Sequence, residues 1–334
     1  MSAIELLYRN AIDIQAKQIT VVNAHAHPLL YELCRSAKHY HLLQHFKPAF
    51  DALTSSGLET VTRLASETDR ELILIIPSKN RQQTLAWMAE SMQRLADGGM
   101  VLMACANSYG AKGYESSLKK LSGNINSTSK SKCRIFSARK TTLFDAALAD
   151  QWRSNVKPQR IESHGLISQP GLFSWDRPDP GSRLLLAHLP ELSGTGMDLC
   201  CGYGLLSEEI LRTSEHAKHL HLVEAEQLAL ECAAKNCEQW ASQTDYHWLD
   251  AANEPLPGEV DWIVCNPPFH TGQERDIELG QKIIMNGCRS LKSGGEIYLV
   301  ANRKLPYERI LQSALKTVTI SVQAEGFKVI RGVK

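Results

Sequence analysis

The sequence predicts an α/β protein that consists of two tandem copies of one unit. Residues 37–44 read Ala-Lys-His-Tyr-His-Leu-Leu-Gln and residues 217–224 read Ala-Lys-His-Leu-His-Leu-Val-Glu, so that five of eight positions are identical. Further apolar strands and glycine turns recur in the same order in both halves, which indicates a duplicated fold. Polar residues that follow the strands of the second copy place a candidate site there.

Length and composition define the class of protein. The 334 residues, of which 43% are hydrophobic, allow two globular domains with separate cores. We expect these domains at 1–150 and 151–334, joined by an irregular linker within 145–162. No apolar run approaches the roughly 20 residues that span a bilayer, and the N-terminus lacks the basic-then-apolar layout of a signal peptide. We therefore expect a cytoplasmic protein without membrane contact.

Neither disulfide nor metal chemistry is indicated by the sequence. The nine cysteines have no framework spacing and no companion ligands for zinc. His25 and His27 are two residues apart, but no third ligand accompanies them. The sequence predicts free thiols in a reducing compartment and no bound metal.

The charge of the chain is unevenly distributed. Residues 1–150 contain 18 Lys and Arg against 13 Asp and Glu, although the net charge of the whole chain is only +1. Within Lys112–Lys140 eight basic residues accompany a single acid, Glu115. Such a segment is either a solvated loop or a surface for phosphate backbones, and we treat it as a candidate RNA contact.

The two copies differ at the positions that carry chemistry. The differing pairs are Cys201-Gly202-Tyr203-Gly204 against His25-Ala26-His27-Pro28, Glu224 against Gln44, and Asn266 against Ile76. The first copy therefore lacks the glycines, the acid and the amide, although its apolar framework persists. The pattern predicts that the second copy holds the site and that the first keeps only the fold.

Polar residues follow four successive strands of the second copy. Asp198 lies at the end of the first strand, before a turn with Gly202 and Gly204 that leads into a helix near residue 205. Such a turn brings backbone amides close to a ligand. Glu224 ends the next strand, where an acid binds the hydroxyls of a ribose, and Asp250 is placed to accept from an adenine amino group. Each acid alone could be a helix N-cap, but together they predict a nucleotide-like cofactor.

The fourth strand, Trp262-Ile-Val-Cys265, stops at Asn266-Pro267-Pro268-Phe269, because proline cannot continue a ladder. The side-chain oxygen of Asn266 and the carbonyl of Pro267 can accept two hydrogen bonds from one planar NH₂ group. Phe269 can stack on a flat base, a contact worth roughly 1–3 kcal/mol. We therefore assign catalytic roles to Asn266, Pro267 and Phe269.

Together these residues resemble the class I S-adenosylmethionine (SAM)-dependent methyltransferases that methylate nitrogen. A closer resemblance is to the bacterial rRNA guanine-N2 methyltransferases, which have small-subunit (RsmC-type) and large-subunit (RlmG-type) branches. It rests on Gly171-Leu-Phe-Ser174, Asp179-Pro-Gly-Ser182, Asn266-Pro-Pro-Phe-His270, Gly294-Gly-Glu296, Val300-Ala-Asn-Arg303 and Gly326-Phe-Lys-Val329. The likeness is close over 160–334 and extends to the N-terminal half only in layout. Cys200 departs from it, because the family has the first glycine of the cofactor turn there.

The resemblance implies two tandem Rossmann-like class I methyltransferase domains, of which the N-terminal one is degenerate and serves RNA binding or structure. The C-terminal, catalytic domain would have a seven-stranded sheet that ends in an antiparallel hairpin, 317–323 and 325–333. SAM would be the cofactor. The residues implied for it are Asp198, Gly202, Gly204, Glu224, Asp250 and Asn266.

The implied reaction is N2-methylation of a guanine in 16S rRNA, on the 30S subunit, by a monomeric enzyme. Positioning would supply most of the catalysis, and no strong general base is required. Three alternatives stay open: the same chemistry on 23S rRNA, N-methylation of a glutamine in a translation factor, and a non-enzymatic RNA assembly factor. Loss of SAM binding would favour the last of these.

Overall fold

The computed structural model describes residues 1–64, 70–268 and 277–334. The chain divides into two compact units, Met1–Lys157 and Pro158–Lys334, whereas we expected the boundary between residues 150 and 151. No helix in the described part of the chain is both long enough and apolar enough to cross a bilayer.

The first unit is a seven-stranded sheet with helices between its strands. Its strands are β1 Gln18–Val22, β2 His39–Leu43, β3 Thr60–Val61, β4 Arg70–Ile75, β5 Leu95–Ala106, β6 Asn126–Lys130 and β7 Cys133–Arg139. Its helices are α1 Ala3–Ile14, α2 Pro28–Ser36, α3 Lys47–Thr54, α4 Arg81–Arg94, α5 Ala111–Ser122 and α6 Ala146–Ser154.

The second unit begins with a short ribbon and continues into a sheet of the same kind. Its strands are β8 Gln159–Arg160, β9 Ile167–Ser168, β10 Gly194–Leu199, β11 Ala217–Glu224, β12 Thr244–Trp248, β13 Val260–Cys265, β14 Leu291–Asn302, β15 Thr317–Ala324 and β16 Phe327–Val333. Its helices are α7 Pro180–Leu186, α8 Leu205–Thr213, α9 Gln227–Asn236, α10 Ile277–Ser290 and α11 Tyr307–Ala314.

The two large sheets have the same topology, which confirms the internal repeat. The strand orders are β3-β2-β1-β4-β5-β7-β6 and β12-β11-β10-β13-β14-β16-β15. In each sheet the first five strands of the order are parallel, and the last two pairs are antiparallel. The predicted terminal hairpin is confirmed; Glu325 and Gly326 join its strands with φ values of 50° and 83°, as in a type I′ turn.

Apolar side chains cover both faces of each sheet. In β11, for example, Leu220 and Leu222 pack with α8 and α9, whereas Val223 joins the core on the other face. This alternation follows from the two-residue period of a strand. Because both faces of the central strands are covered, the carboxyl edge is where a ligand can reach the backbone.

The predicted alignment of the two turns is wrong by one residue. Asn23 and Cys200 each follow the strand directly and have positive φ values of 58° and 68°. His27 and Gly204 are the N-caps of α2 and α8, so His27, not Pro28, is the counterpart of Gly204. The alignment of the sequence paired Leu29-Leu30 with Leu205-Leu206. In the structure the two turns have equal length from the end of the strand to the N-cap of the helix, and this equality sets the correct pairing.

The predicted linker, 145–162, contains the boundary between the two units, but it is not irregular throughout, because α6 occupies half of it. Asp145 caps this helix, and its side chain accepts a hydrogen bond from the Leu148 N–H at 2.9 Å. Leu148 and Ala149 are buried in the core of the first unit. Trp152 packs against the same core and is partly buried. A buried face this short gives no clear helical period in the sequence.

Candidate active site

The four predicted polar positions lie on four neighbouring strands of the second sheet. Asp198 is near the end of β10, Glu224 ends β11, Asp250 follows β12, and Asn266 directly follows β13. The order β12-β11-β10-β13 makes these strands adjacent, and their parallel pairing puts the four residues at one edge.

The turn after β10 is shaped for close approach by a ligand. Gly202 and Gly204 have φ values of 56° and 88°, which glycine adopts without strain. A Cβ atom on Gly202 would meet nothing within 4 Å, whereas one on Gly204 would lie 3.1 Å from Ala233. Gly202 therefore faces open space, and Gly204 allows α8 to pack against α9.

Cys200 is a strained residue within this turn. Its φ of 68° is unfavourable for any residue with a Cβ, by roughly 1–2 kcal/mol. A hydrogen bond between its thiol and that of Cys265, burial, and the charge of Glu224 raise its pKa well above the ordinary value. The thiol therefore stays neutral where the family has a glycine.

Glu224 fixes the backbone of the turn. Its Oε2 accepts the Gly202 N–H at 2.8 Å, and its Oε1 accepts the N–H groups of Ala225 and Glu226, both at 2.8 Å. A carboxylate can accept about four hydrogen bonds, so Oε2 can take one more donor. Burial raises the pKa of Glu224, although these three bonds oppose that shift.

The first unit keeps half of this arrangement. Oε1 of Gln44 accepts the N–H groups of His45 and Phe46, both at 2.9 Å, in the way that Glu224 Oε1 does. The other end of the side-chain amide is a donor: Nε2 donates to the Ala24 carbonyl at 2.8 Å. Gln44 thus fixes the backbone that follows β2, but its Nε2 cannot accept a hydrogen bond from a ribose hydroxyl.

Asp198 is completely buried. Its Oδ2 accepts the Ser207 hydroxyl at 2.6 Å, and its Oδ1 has no hydrogen-bond partner among the described residues. Burial raises the pKa of Asp198 to about 7, and the nearby charge of Glu224 adds to that shift. The side chain is held in place by α8 and keeps one free acceptor atom.

Asp250 closes the loop after β12. Its Oδ1 accepts the Ala252 N–H at 3.0 Å, its Oδ2 accepts the Asn253 amide at 2.7 Å, and its own N–H donates to Glu254 at 2.6 Å. Asp250 as a whole is only 8% exposed. These contacts orient it and leave capacity for a further donor.

Asn266 has a fixed side-chain orientation. Its Nδ2 donates to Asp179 Oδ2 at 3.0 Å and to Ser182 Oγ at 2.8 Å. An ionised carboxylate can only accept, so the NH₂ end must face Asp179. The carbonyl end, Oδ1, is buried and has no partner within the described ranges. The result is a preoriented acceptor that awaits a donor.

Asp179 and Ser182 belong to one of the strings that carry the family resemblance, and the structure gives both residues a role in holding Asn266. Asp179 is the N-cap of α7 and accepts the Ser182 N–H at 2.8 Å through the same Oδ2 that receives Asn266. A Cβ on Gly181 would lie 2.9 Å from that oxygen. The Asp-Pro-Gly-Ser string alone predicts a helix start, and only the fold shows that it faces Asn266.

The rest of the Asn-Pro-Pro-Phe turn is described in part. Pro267 is buried and Pro268 exposed, and no hydrogen bond between described residues ends on the Pro267 carbonyl. Phe269, to which we assign base stacking, lies outside the described residues, as does His270. Two acceptors of the predicted site, Asn266 Oδ1 and the Pro267 carbonyl, thus receive no hydrogen bond from the described part of the chain.

Buried polar atoms without partners are concentrated around this edge. Four of the eight such atoms found in the described residues belong to Asp198, Tyr203, Gln227 and Asn266. Asp198 lies near the end of β10, and the other three lie on the segments that follow β10, β11 and β13. Because buried polar atoms are normally hydrogen-bonded, this concentration indicates a place where a polar ligand supplies the missing partners.

The basic segment of the first unit is partly engaged in internal contacts. Arg134 pairs with Glu115 at 2.7 Å, Arg139 donates to the Gly98 carbonyl at 2.8 Å, and Lys140 donates to the Leu95 carbonyl at 2.7 Å. The remaining five side chains are exposed: Lys112, Lys119, Lys120, Lys130 and Lys132. They lie on α5 and on the β6–β7 hairpin.

Family models match both units. The model "Methyltransferase small domain" matches residues 163–331, and "Methyltransferase small domain N-terminal" matches residues 4–156. Together the two matches reproduce the division into two units.

Two curated proteins show the extent of sequence similarity. The chain is 29% identical over 284 residues to ribosomal RNA small subunit methyltransferase C of Psychromonas ingrahamii, an alignment that covers 84% of this chain and 80% of the relative. It is 26% identical over 335 residues to the protein of the same name from Salmonella choleraesuis, and this alignment covers 99% of this chain and 96% of the relative. The similarity therefore includes the N-terminal unit.

A solved structure has the same fold. The T. thermophilus 16S rRNA N2 methyltransferase RsmC, solved in complex with AdoMet and guanosine, matches with a TM-score of 0.81 and 24% identity. The match covers 100% of this chain and 92% of that one. Both tandem units are thus present in the same order in the two proteins.

Proposed function

The chain belongs to the methyltransferase small domain family, and we propose that it transfers a methyl group from SAM to N2 of a guanine in 16S rRNA. The observation that carries this proposal is the buried Oδ1 of Asn266, which has no partner among residues 1–64, 70–268 and 277–334 and whose amide is oriented by Asp179. An acceptor held in this way suits an exocyclic amino group. Curated relatives named as small subunit rRNA methyltransferases support the choice of substrate.

The carboxyl edge of the second sheet fits SAM. Gly202 faces open space, Glu224 retains acceptor capacity for a ribose hydroxyl, and Asp250 retains it for the adenine amino group. The free Oδ1 of Asp198 suits a polar group at the methionine end, close to the turn. Asp198, Gly202, Gly204, Glu224 and Asp250 are therefore the residues that we assign to the cofactor, whereas Asn266, which the resemblance also implies for SAM, is assigned to the amino group of the substrate.

The amino group of the guanine is held by two acceptors in this mechanism. Asn266 Oδ1 and the Pro267 carbonyl accept its two N–H bonds, which draws the nitrogen lone pair out of conjugation with the ring. Phe269 stacks on the base. When bound, SAM supplies an electrophilic methyl group on a sulfonium. The N2 lone pair bonds to the methyl carbon as the carbon–sulfur bond breaks, and N2 then releases a proton to water.

Catalysis in this account depends on positioning. Alignment of the reactants can lower the reaction barrier by about 7–11 kcal/mol relative to free encounter in solution. The contacts of Asn266 with Asp179 and Ser182 fix the acceptor that aligns the guanine. A guanine within a helix must be flipped out of its stack to reach these acceptors. No side chain needs to act as a strong base.

The first unit supplies RNA affinity in this account. It keeps the sheet of a methyltransferase but has Gln44 and Ile76 where the second unit has Glu224 and Asn266. Its five exposed lysines, defined above, suit the phosphate backbone of rRNA in the 30S subunit. We assign RNA binding to Met1–Lys157 and catalysis to Pro158–Lys334, within a monomeric, cytoplasmic enzyme.

Methyl transfer to separated, unmodified ribosomal subunits tests the proposal. The purified chain is incubated with radiolabelled SAM and either 30S or 50S subunits, and the labelled nucleoside is identified. We expect label in 16S rRNA as N2-methylguanosine. Label in 23S rRNA would contradict the substrate, and label in protein alone would favour a glutamine substrate.

A further inference from the structure

A cluster of histidines lies on the second sheet, outside the site described above. His219 Nε2 is 2.9 Å from Asp245 Oδ2, and His221 Nδ1 is 3.6 Å from the same oxygen. His247 Nε2 is 3.1 Å from His221 Nδ1. Three imidazoles and one carboxylate therefore converge between β11 and β12.

The pairing of the strands explains how the cluster forms. His219 and His221 are two residues apart on β11, and Asp245 and His247 are two residues apart on β12, so each pair faces one side of the sheet. The parallel register places Asp245 opposite His221. Leu220, between the histidines, and Leu222, after them, enter the core on the opposite face. The cluster is therefore fixed by two strands.

The spacing of the ligand atoms suits a metal ion. His219 Nε2, His221 Nδ1 and Asp245 Oδ2 all lie within 4.8 Å of one another. Two ligands about 2.1 Å from a tetrahedral metal lie about 3.4 Å apart, close to the observed separations of 2.9 and 3.6 Å. Imidazole nitrogen is preferred by Zn²⁺, Ni²⁺ and Cu²⁺ over Mg²⁺ or Ca²⁺.

The exposure of the cluster allows an ion to enter. The side chains of His219, His221 and Asp245 are 31%, 17% and 57% exposed. The imidazoles are thus partly shielded, while the carboxylate remains open to solvent. The cluster is therefore accessible to an ion in the folded protein.

We propose that His219, His221 and Asp245 bind one divalent transition-metal ion of the zinc class. The ion cross-links β11 to the sheet's edge strand β12. β11 ends in Glu224, and the loop after β12 contains Asp250, so the ion steadies the two strands that lead to these acids. This site does not depend on the proposed methyl transfer, because none of its ligands belongs to the predicted active site.

The test uses the full-length chain, freed of metal by a chelator, with Zn²⁺ alone as the probe. We expect one ion per chain by equilibrium dialysis and a Tm increase of about 5 °C at a Zn²⁺ concentration 100-fold above its Kd. Co²⁺ in place of Zn²⁺ should give the visible absorption of a site with nitrogen and oxygen ligands.

Two ligand variants and one control make the result specific. His221→Ala should abolish both the binding and the Tm increase, and His219→Ala, at a more exposed ligand, should weaken binding at least 10-fold without loss of the fold. His216→Ala removes a histidine that is 72% exposed and lies outside the cluster, and should bind like the parent. Absence of stoichiometric binding to the parent would overturn the proposal. Equal binding by His219→Ala and the parent would also overturn it, since the ion would then lie elsewhere, as on cysteines.

Discussion

Asn266 donates its amide to the carboxylate of Asp179 at 3.0 Å, and this bond determines which end of the amide faces the predicted substrate. The two residues are 87 positions apart in the chain. Because the carboxylate can only accept, the Asn266 carbonyl oxygen is turned away from it and stays without a partner among the described residues. A helix N-cap thereby orients the residue on which the proposed chemistry depends.

Asp179→Asn should lower turnover about 10-fold or more and leave the Kd for SAM nearly unchanged. Asparagine caps helices as well as aspartate does, so α7 should persist. The new amide no longer forces Asn266 to present its NH₂ end, and a flipped Asn266 would oppose the guanine amino group with a donor. Single-turnover methylation and SAM titration measure the two effects. Asp145→Asn, at the N-cap of α6, is the matched control, and an equal turnover in both variants would contradict the role of Asp179.

Glu224→Gln should raise the Kd for SAM by 10-fold or more while the Tm stays near that of the parent. The first unit shows that a glutamine can bond the two following N–H groups at this place. Its Nε2, however, would face the Gly202 N–H, which now donates to Glu224 Oε2, and it could not accept from a ribose hydroxyl. Calorimetric titration with SAM checks the Kd, and Glu238→Gln, at an exposed acid of the same unit, serves as control. An unaltered Kd for Glu224→Gln would count against the ribose contact.

Asp198→Asn should remove part of the pH dependence of stability. Burial raises the pKa of Asp198 to about 7 from 3.8, so between these values the unfolded chain releases a proton that the folded chain retains. The folded state therefore loses stability as pH rises from about 4 to about 7, by up to roughly 4 kcal/mol. The variant cannot ionise there, and it can still accept from Ser207. Measured by calorimetry, the Tm of the variant relative to that of the parent should rise from pH 5 to pH 8. A difference in Tm that stays constant over this range would mean that Asp198 is ionised throughout.

Charge reversal at Lys130 and Lys132 should weaken RNA binding and flatten its dependence on salt. Both lysines are exposed, and Ser131 and Lys132, with φ values of 52° and 59°, form the turn of the β6–β7 hairpin. Each lost phosphate contact should reduce the slope of log K against log salt by roughly 0.7–0.9. Filter binding of 16S rRNA at several salt concentrations measures this slope. Reversal of the exposed Arg35 and Lys38, in the same unit, is the control, and equal slopes for the two double variants would exclude the hairpin.

Much of the fold could be predicted from the sequence because it depends on local periodicity. The apolar run before Asn266 and the repeat that contains Glu224 predicted strands that the structure has, as β13 and β11. The position of the last turn was readable from Gly326, because glycine adopts a positive φ without strain, whereas nothing in the residue type of Glu325 indicates its positive φ. Helix α6 was missed since its cap, Asp145, is followed by only a short buried face.

Contacts between distant segments of the chain could not be predicted in the same way. The local sequence predicts Asp179 as a helix N-cap. Nothing in that sequence indicates that its carboxylate also accepts a hydrogen bond from Asn266. The histidine cluster is similar, since His221 and Asp245 meet only through the register of β11 with β12. In both cases the chemistry depends on which strands and helices become neighbours, and periodicity does not specify that.

Methylation of 30S subunits by the Asn266→Ala variant, with SAM affinity measured in parallel, tests the central claim most directly. We predict that turnover to N2-methylguanosine falls by about 10²–10³-fold, as for loss of one preoriented polar contact to a reacting group, while the Kd for SAM changes little. The variant leaves the carboxyl edge of β10 and β11 intact, so it isolates the contact to the amino group. Turnover equal to that of the parent would contradict the assignment of Asn266 and, with it, the mechanism proposed here.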